Sequence, residues 1–326
     1  MRLKLVPSQT SLDFFKFTKG TLGASILAMI VSVVLFFLIG LNYGIDFRGG
    51  TTIRTDSQSV VDTAAYRAAL EPLGLGDISI TEVIDPAEQL QGIASTVSQI
   101  RIETQEGAEA ATIETIRLVK DALIAIDPTM SFPQVDSVGP KVSGELIQTA
   151  VIAVILAIAA VLFYIWLRFE WQFSFGAVVA LVHDVVITIG IFSFLQIKFD
   201  LAIIAALLTI VGYSLNDTVV VFDRVRENLR KYKKKPLNEV LNLSINETLS
   251  RTMMTSVTTL IALISLFVLG GDVIHGFVFA MIWGVIIGTY SSIFVASAIL
   301  LRLGVKRDWD KIDDGRAGTQ FANIDA

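Results

Sequence analysis

Residues Leu201–Phe222 read LAIIAALLTIVGYSLNDTVVVF. The run is long and apolar enough to cross a bilayer as a helix, for which about 20 residues suffice. Asp217 interrupts it. A carboxylate in hydrocarbon costs about 2.5–3.5 kcal/mol on insertion scales, so such residues are rare and mark function. At 1.5 Å per residue, Asp217 stands roughly 24 Å from Leu201 along a core about 30 Å thick. Tyr213, Asn216, Asp217 and Val220 fall on neighbouring ridges of that helix. Arg251, at the start of another apolar run, is the expected partner of Asp217.

Five more runs of spanning length flank this one: Thr21–Leu41, Glu145–Leu167, Gln172–Phe192, Thr252–Leu269 and Phe277–Leu301. Composition agrees. Apolar residues make up 53% and charged residues 17% of the chain, with mean hydropathy +0.66, against more charge in a soluble domain. The net charge of −5 says less than its segregation. Basic residues collect at Arg2, Lys4, Lys16 and Lys19, at Arg224–Lys235, and at Arg302, Lys306 and Arg307. The hairpins Gln196–Asp200 and Gly270–Gly276 hold only Lys198 among Lys and Arg. The positive-inside rule then puts both termini in the cytoplasm and residues 42–144 outside, in the periplasm of an inner-membrane protein. Thr21–Leu41 is too long for a signal-peptide core and no A-x-A-like site follows it, so it reads as a retained span.

The expected organisation is a cytoplasmic segment 1–20, span one at 21–41, an α+β domain at 42–144, spans two to six within 145–303, and a solvated tail at 304–326. In the α+β domain the periods alternate: strand Thr51–Asp56, helix Val60–Leu73, strands Asp77–Ile84 and Ser98–Glu103, helix Ala108–Ile126 and strand Phe132–Val138. The order βαββαβ is the split, ferredoxin-like arrangement, which hosts many functions and decides none. Between spans four and five, residues 223–251 form a basic, amphipathic loop. Pro236 is expected in the first turn of its second helix, and a stripe from Leu237 to Leu249 suits an anionic lipid surface better than nucleic acid.

Several chemistries are excluded. Without cysteine there is no disulfide or thiolate metal site, and two histidines cannot build a His-rich one. The glycines of NYGIDFRGGTT (Asn42–Thr52) lack the Lys-Ser/Thr of a phosphate loop and mark a tight entry to the first strand instead. Gly74–Asp77 spells GLGD, an intramembrane-protease motif, but in the α+β domain. No Ser/His/Asp triad is apparent. An enzyme is therefore not expected, nor a cofactor, with protons as the coupling ion. Low dielectric favours a neutral carboxyl and a nearby guanidinium an ionised one, so a movable Arg251 would switch the proton affinity at Asp217. The bland reading is a static pair fixing helix packing, or an Arg251 that only reaches for headgroups. His183 and Asp184, midway along span three, are candidates for a proton path or for helix packing, with i and i+1 side chains expected to point apart. Gly212, Ser214, Gly284, Gly288, Ser291, Ser292 and Ser297 read as close-packing positions.

GIDFRGGT after the first span, HDV in the third, VGYSLNDTVVVFDRVREN in the fourth and LSRTMMTS at the fifth resemble the SecD/SecF family, on its SecF side. The resemblance implies six spans forming half of a twelve-helix bundle like that of resistance–nodulation–division (RND) transporters. It also implies proton-motive-force-driven assistance to late protein export. The implied partners are SecD, the SecYEG channel and the translocating preprotein, with YajC and YidC as further candidates. Asp217 would be the proton-carrying aspartate and Arg251 its linked arginine. Two rival readings are half of an RND-type proton-coupled exporter of small molecules or lipid, and a non-transporting membrane scaffold.

Overall fold

The computed structural model describes residues 10–57, 62–75, 78–83, 96–103 and 112–305. Within them six helices are long and apolar enough to cross a membrane. They are α1 (Thr18–Leu38), α5 (Pro140–Arg168), α6 (Trp171–Leu195), α7 (Leu201–Lys231), α8 (Leu237–Leu269) and a composite sixth. The composite runs as α9 (Gly271–Tyr290), a π-helical stretch Ser291–Ala296, and α10 (Ser297–Leu303). Burial sorts the six. In α6, α7 and the sixth helix, 56%, 44% and 61% of the apolar window is buried, against 17%, 11% and 11% in α1, α5 and α8. The first three form a central layer. The others present large apolar side chains outward, such as Phe37, Phe163 and Ile261, as a hydrocarbon environment requires.

Small residues set the crossings. With lipid as apolar as leucine, helices associate through close packing, which needs positions lacking a Cβ. A Cβ on Gly190 of α6 would lie 2.7 Å from Ser32 Cα of α1. On Gly284 it would strike Ile210, and on Gly288 it would come within 3.0 Å of Ser214, both on α7.

The fifth span differs from its expectation. The Leu237–Leu249 segment and the apolar run Thr252–Leu269 are one continuous helix, so Arg251 lies near its middle and not at its start. Pro236 is the N-cap of that helix and not within its first turn. The stripe expected on lipid is buried inside the protein: Val240, Leu241, Ile245 and Leu249 pack with Val225 and Leu229 of α7 and with Leu300 of α10. The amino-terminal strap crosses this hairpin. Asn246 donates to Leu12 O (2.8 Å) and accepts from Leu12 N (2.9 Å), while Asn242 accepts from Phe14 N (2.9 Å).

The α+β domain has strands β2 (Gly50–Ser57), β3 (Ile78–Val83), β4 (Thr96–Glu103) and β5 (Ser131–Val138), with α3 (Thr63–Leu70) and α4 (Ile113–Ile124) on one face. The spatial order β3-β4-β2-β5, all antiparallel, is the ferredoxin-like topology. Asp62 and Thr112 cap α3 and α4 by accepting from Ala64 N and Thr115 N. Period two puts Ile53, Ile100 and Ile102 under the helices with Tyr66, Leu70, Val119 and Leu123. The helix expected at Val60–Leu73 ends in a 3-10 turn at Glu71–Leu73, and its first two residues lie outside the described set, as do residues 108–111 of the second helix and the tail from residue 306 on. On the sheet's other face Thr52, Arg54, Arg101 and Asp136 border a cleft of about 900 Å3, with Lys198 and Asp200 of the α6–α7 hairpin also in its wall.

A joint connects domain to bundle. After α1 the chain forms β1 (Asn42–Tyr43), which pairs in parallel with β6 (Lys198–Phe199), then the one-turn helix α2 (Ile45–Arg48). Gly49 and Gly50 follow at φ 77° and 140°, where only glycine sits without strain.

Candidate functional site: a polar centre within the bundle

Asp217 faces the bundle interior, 3% exposed, and its Oδ2 has no hydrogen-bond partner among the described residues. An orphaned acceptor in a native interior needs an explanation, because its desolvation is uncompensated. Arg251 stands on α8, which packs against α7. Among the described residues, however, no ion pair joins Arg251 to Asp217. Arg251 itself is exposed. The next residue, Thr252, is 1% exposed with Oγ1 also lacking a partner. Of the neighbouring sequence candidates, Tyr213 reaches α8, its hydroxyl 3.4 Å from Thr259 Oγ1, and Asn216 is exposed.

On α6, facing α7 about one turn from Asp217, lies a second buried carboxylate. Asp184 and His183 are each 1% exposed. Asp184 Oδ2 accepts from Ser214 Oγ (2.6 Å) on α7 and from Ser291 Oγ (2.8 Å) on the sixth helix. Its Oδ1 lies 2.9 Å from His183 Nδ1. The expectation that adjacent side chains diverge is thus corrected. The two leave the helix about 100° apart, yet both bend into the crevice shared by three helices. His183 stacks on Tyr290, with ring centroids 6.2 Å apart. Tyr290 in turn donates to Thr21 O (3.0 Å) and lies 3.1 Å from Ser25 Oγ on α1. His183 Nε2 is likewise buried without a hydrogen-bond partner among the described residues.

The network therefore links α1, α6, α7 and the sixth helix. Its contact on α7, Ser214, precedes Asp217 by three residues, and Thr218 Oγ1 donates to the Ser214 carbonyl (3.1 Å). Ser291 opens the π-helical stretch, a widened turn of the kind found at functional positions. Sequence reasoning took Ser214 and Ser291 for packing residues. The run TYSS at residues 289–292 in an apolar span was the available signal, and Thr289 also pairs with Ser256 (2.7 Å). Among the described residues no group of three His, Asp or Glu side chains is placed to hold a metal.

Two family descriptions match the chain: "Protein export membrane protein SecD/SecF, C-terminal" over residues 118–306, and "SecD/SecF GG Motif" over residues 34–58. The chain is 60% identical to the protein translocase subunit SecF of Cereibacter sphaeroides over 325 residues, covering 100% of this chain and 99% of that one. It is 40% identical to the SecF of Rickettsia rickettsii over 310 residues, covering 95% and 97%. Among solved structures, SecDF of Thermus thermophilus, a translocon-associated membrane protein, superposes with a TM-score of 0.79 at 34% identity, over 93% of this chain and 40% of that one. A super-membrane-facing form of SecDF superposes with a TM-score of 0.67 at 36% identity, over the same shares.

Proposed function

The chain belongs to the SecD/SecF family of protein-export membrane proteins, as a SecF-type subunit of the Sec translocase, and from that premise we propose that it converts proton movement through Asp217 into assistance for late export. The observation that carries the proposal is the buried Asp217 Oδ2, which has no hydrogen-bond partner among the described residues. Low dielectric favours the neutral acid and a nearby guanidinium the ionised one, so a small displacement of Arg251 tips the balance. In the cycle, H⁺ from the outer side binds the Asp217 carboxylate and weakens its attraction to Arg251. The helices α7 and α8 shift, and H⁺ leaves to the inner side. One charge crossing 100 mV supplies about 2.3 kcal/mol, a scale that matches a helix rearrangement.

In this reading both termini are cytoplasmic and the α+β domain periplasmic. SecD supplies the other half of the membrane bundle and SecYEG the channel. The test is export of a stalled preprotein in proteoliposomes holding the complete SecD–SecF–SecYEG assembly, with and without a proton gradient. Asp217→Asn keeps the shape and cannot ionise. It is expected to abolish stimulation by the gradient while leaving assembly with SecD intact. Full gradient-dependent stimulation by the variant overturns the carrier role.

A further inference from the structure

The root of the α+β domain is built into the end of the helix that carries Asp217. Asp46 Oδ2 accepts from Leu201 N, the first residue of α7, at 3.1 Å. Beside it Asp200 caps the same helix, Oδ1 accepting from Ile203 N at 3.3 Å. Gly44 N donates to Phe199 O at 2.8 Å, and a Cβ on Gly44 would come within 3.0 Å of Lys198 Cε and 3.2 Å of Asp200 Cβ. Tyr43 and Phe47 pack on Phe199, with ring centroids 6.3 and 5.9 Å away. The joint thus closes on the start of α7 through backbone, side chain and packing at once. The helix α2 also packs against α5, where Ser143 Oγ donates to Ile45 O at 3.4 Å.

The domain has a second root, where β5 runs through Gly139 into α5, and there Val138 pairs with Gly50. The two roots lie side by side but belong to different helices. Displacing α7 against α5 moves one root relative to the other. Above the joint, Gly49 takes φ 77°, a conformation that favours glycine, before Gly50 enters the sheet between Val138 and Glu103. Beneath the sheet the cleft of about 900 Å3 leaves room for tilt.

We propose that Asp46 is a positioning residue for the cycle described above: its bond to Leu201 N makes the root of the α+β domain follow the end of α7, so that events at Asp217 tilt the domain. The inference rests on the proton-coupled reading, and its test separates the two. The chain has no cysteine, so spin labels can be placed at Glu114→Cys on α4 and Leu195→Cys on α6, both exposed positions. The distance distribution between them is read by double electron–electron resonance in the complete SecD–SecF assembly in nanodiscs. Asp217→Asn, standing for the protonated state, is expected to shift that distribution by several ångströms. Adding Asp46→Ala is expected to remove at least half of the shift. Adding Asp46→Asn, which keeps an acceptor oxygen, is expected to preserve it. Leu201→Pro gives an independent route. It deletes the donor at the first helical position, where proline is tolerated, and the preceding Asp200 is already extended at φ −128° and ψ −176°. This variant is expected to behave as Asp46→Ala does, and it decides the matter should the alanine variant not fold. An undiminished shift without the bond overturns the role of Asp46 and leaves the carrier role standing. No shift from Asp217→Asn in the otherwise unaltered assembly overturns the coupling of proton to domain, and the role of Asp46 with it.

Discussion

Replacing Asp184 by alanine removes one acceptor group from three buried donors at once. Ser214 Oγ, Ser291 Oγ and His183 Nδ1 approach it at 2.6, 2.8 and 2.9 Å, and each loses its carboxylate partner. Ser291 Oγ keeps a second acceptor in Gly288 O at 3.2 Å, so soluble-protein values of about 1–3 kcal/mol for each of the two groups left orphaned would give a loss of about 2–6 kcal/mol. Interhelical hydrogen bonds in membranes average nearer 0.6 kcal/mol, because the unfolded chain in lipid also finds partners, and three of those give about 2 kcal/mol. Asp184 is 1% exposed and its donors come from two further helices, so compensation is poor. We therefore expect about 2–5 kcal/mol for Asp184→Ala. An asparagine in its place would keep one acceptor oxygen and turn an amide N–H towards a serine, so Asp184→Asn is expected to lose about 1–3 kcal/mol. Equilibrium unfolding in mixed micelles of lipid detergent and SDS measures both. A loss below about 0.5 kcal/mol for Asp184→Ala would refute the reasoning, and Asp184 would then be a bystander in a crevice held by packing alone.

Two further outcomes can be checked by the same method. Gly190→Ala puts a Cβ 2.7 Å from the backbone of Ser32, which cannot yield as a rotamer would, and is expected to cost about 1–3 kcal/mol; Gly23→Ala, with nothing within 4 Å, is expected to be neutral or slightly stabilising. Burial holds the Asp200 carboxyl above the usual carboxylate range, with Lys198 opposing, so the folded chain binds this proton more tightly than the unfolded one. Its contribution to stability is thus greatest in acid and is lost as pH rises through the folded value; Asp200→Asn keeps a capping side chain and should abolish that slope in a pH series of unfolding free energies.

Much of the architecture was legible because it rests on local periods. Alternation around Ile53 and Ile100 gave the strands, and runs of apolar residues gave six spans. What escaped had causes that a window on sequence does not capture. The fifth helix was cut short because Glu239, Glu247 and Arg251 interrupt its hydropathy, although a helix tolerates charges wherever they face water or a partner; Arg224 Nε donates to Glu247 Oε2 at 2.7 Å. The hydrogen bonds of Asp184 span 30 and 107 residues of sequence, distances at which spacing carries no signal. The widened turn at Ser291–Ala296 has no compositional mark beyond its serines. Asp217 was legible because it is costly where it stands, but the distance of Arg251 from it was not.

The strap has a consequence for how the chain is made. Leu12 is fastened at both its amide and its carbonyl by Asn246, 234 residues later. At a synthesis rate of roughly 5–20 residues per second, its clasp does not exist until about 12 to 47 seconds after Leu12 leaves the ribosome. During that interval the first span stands with its amino-terminal flank unfastened, and the clasp closes only when α8 arrives.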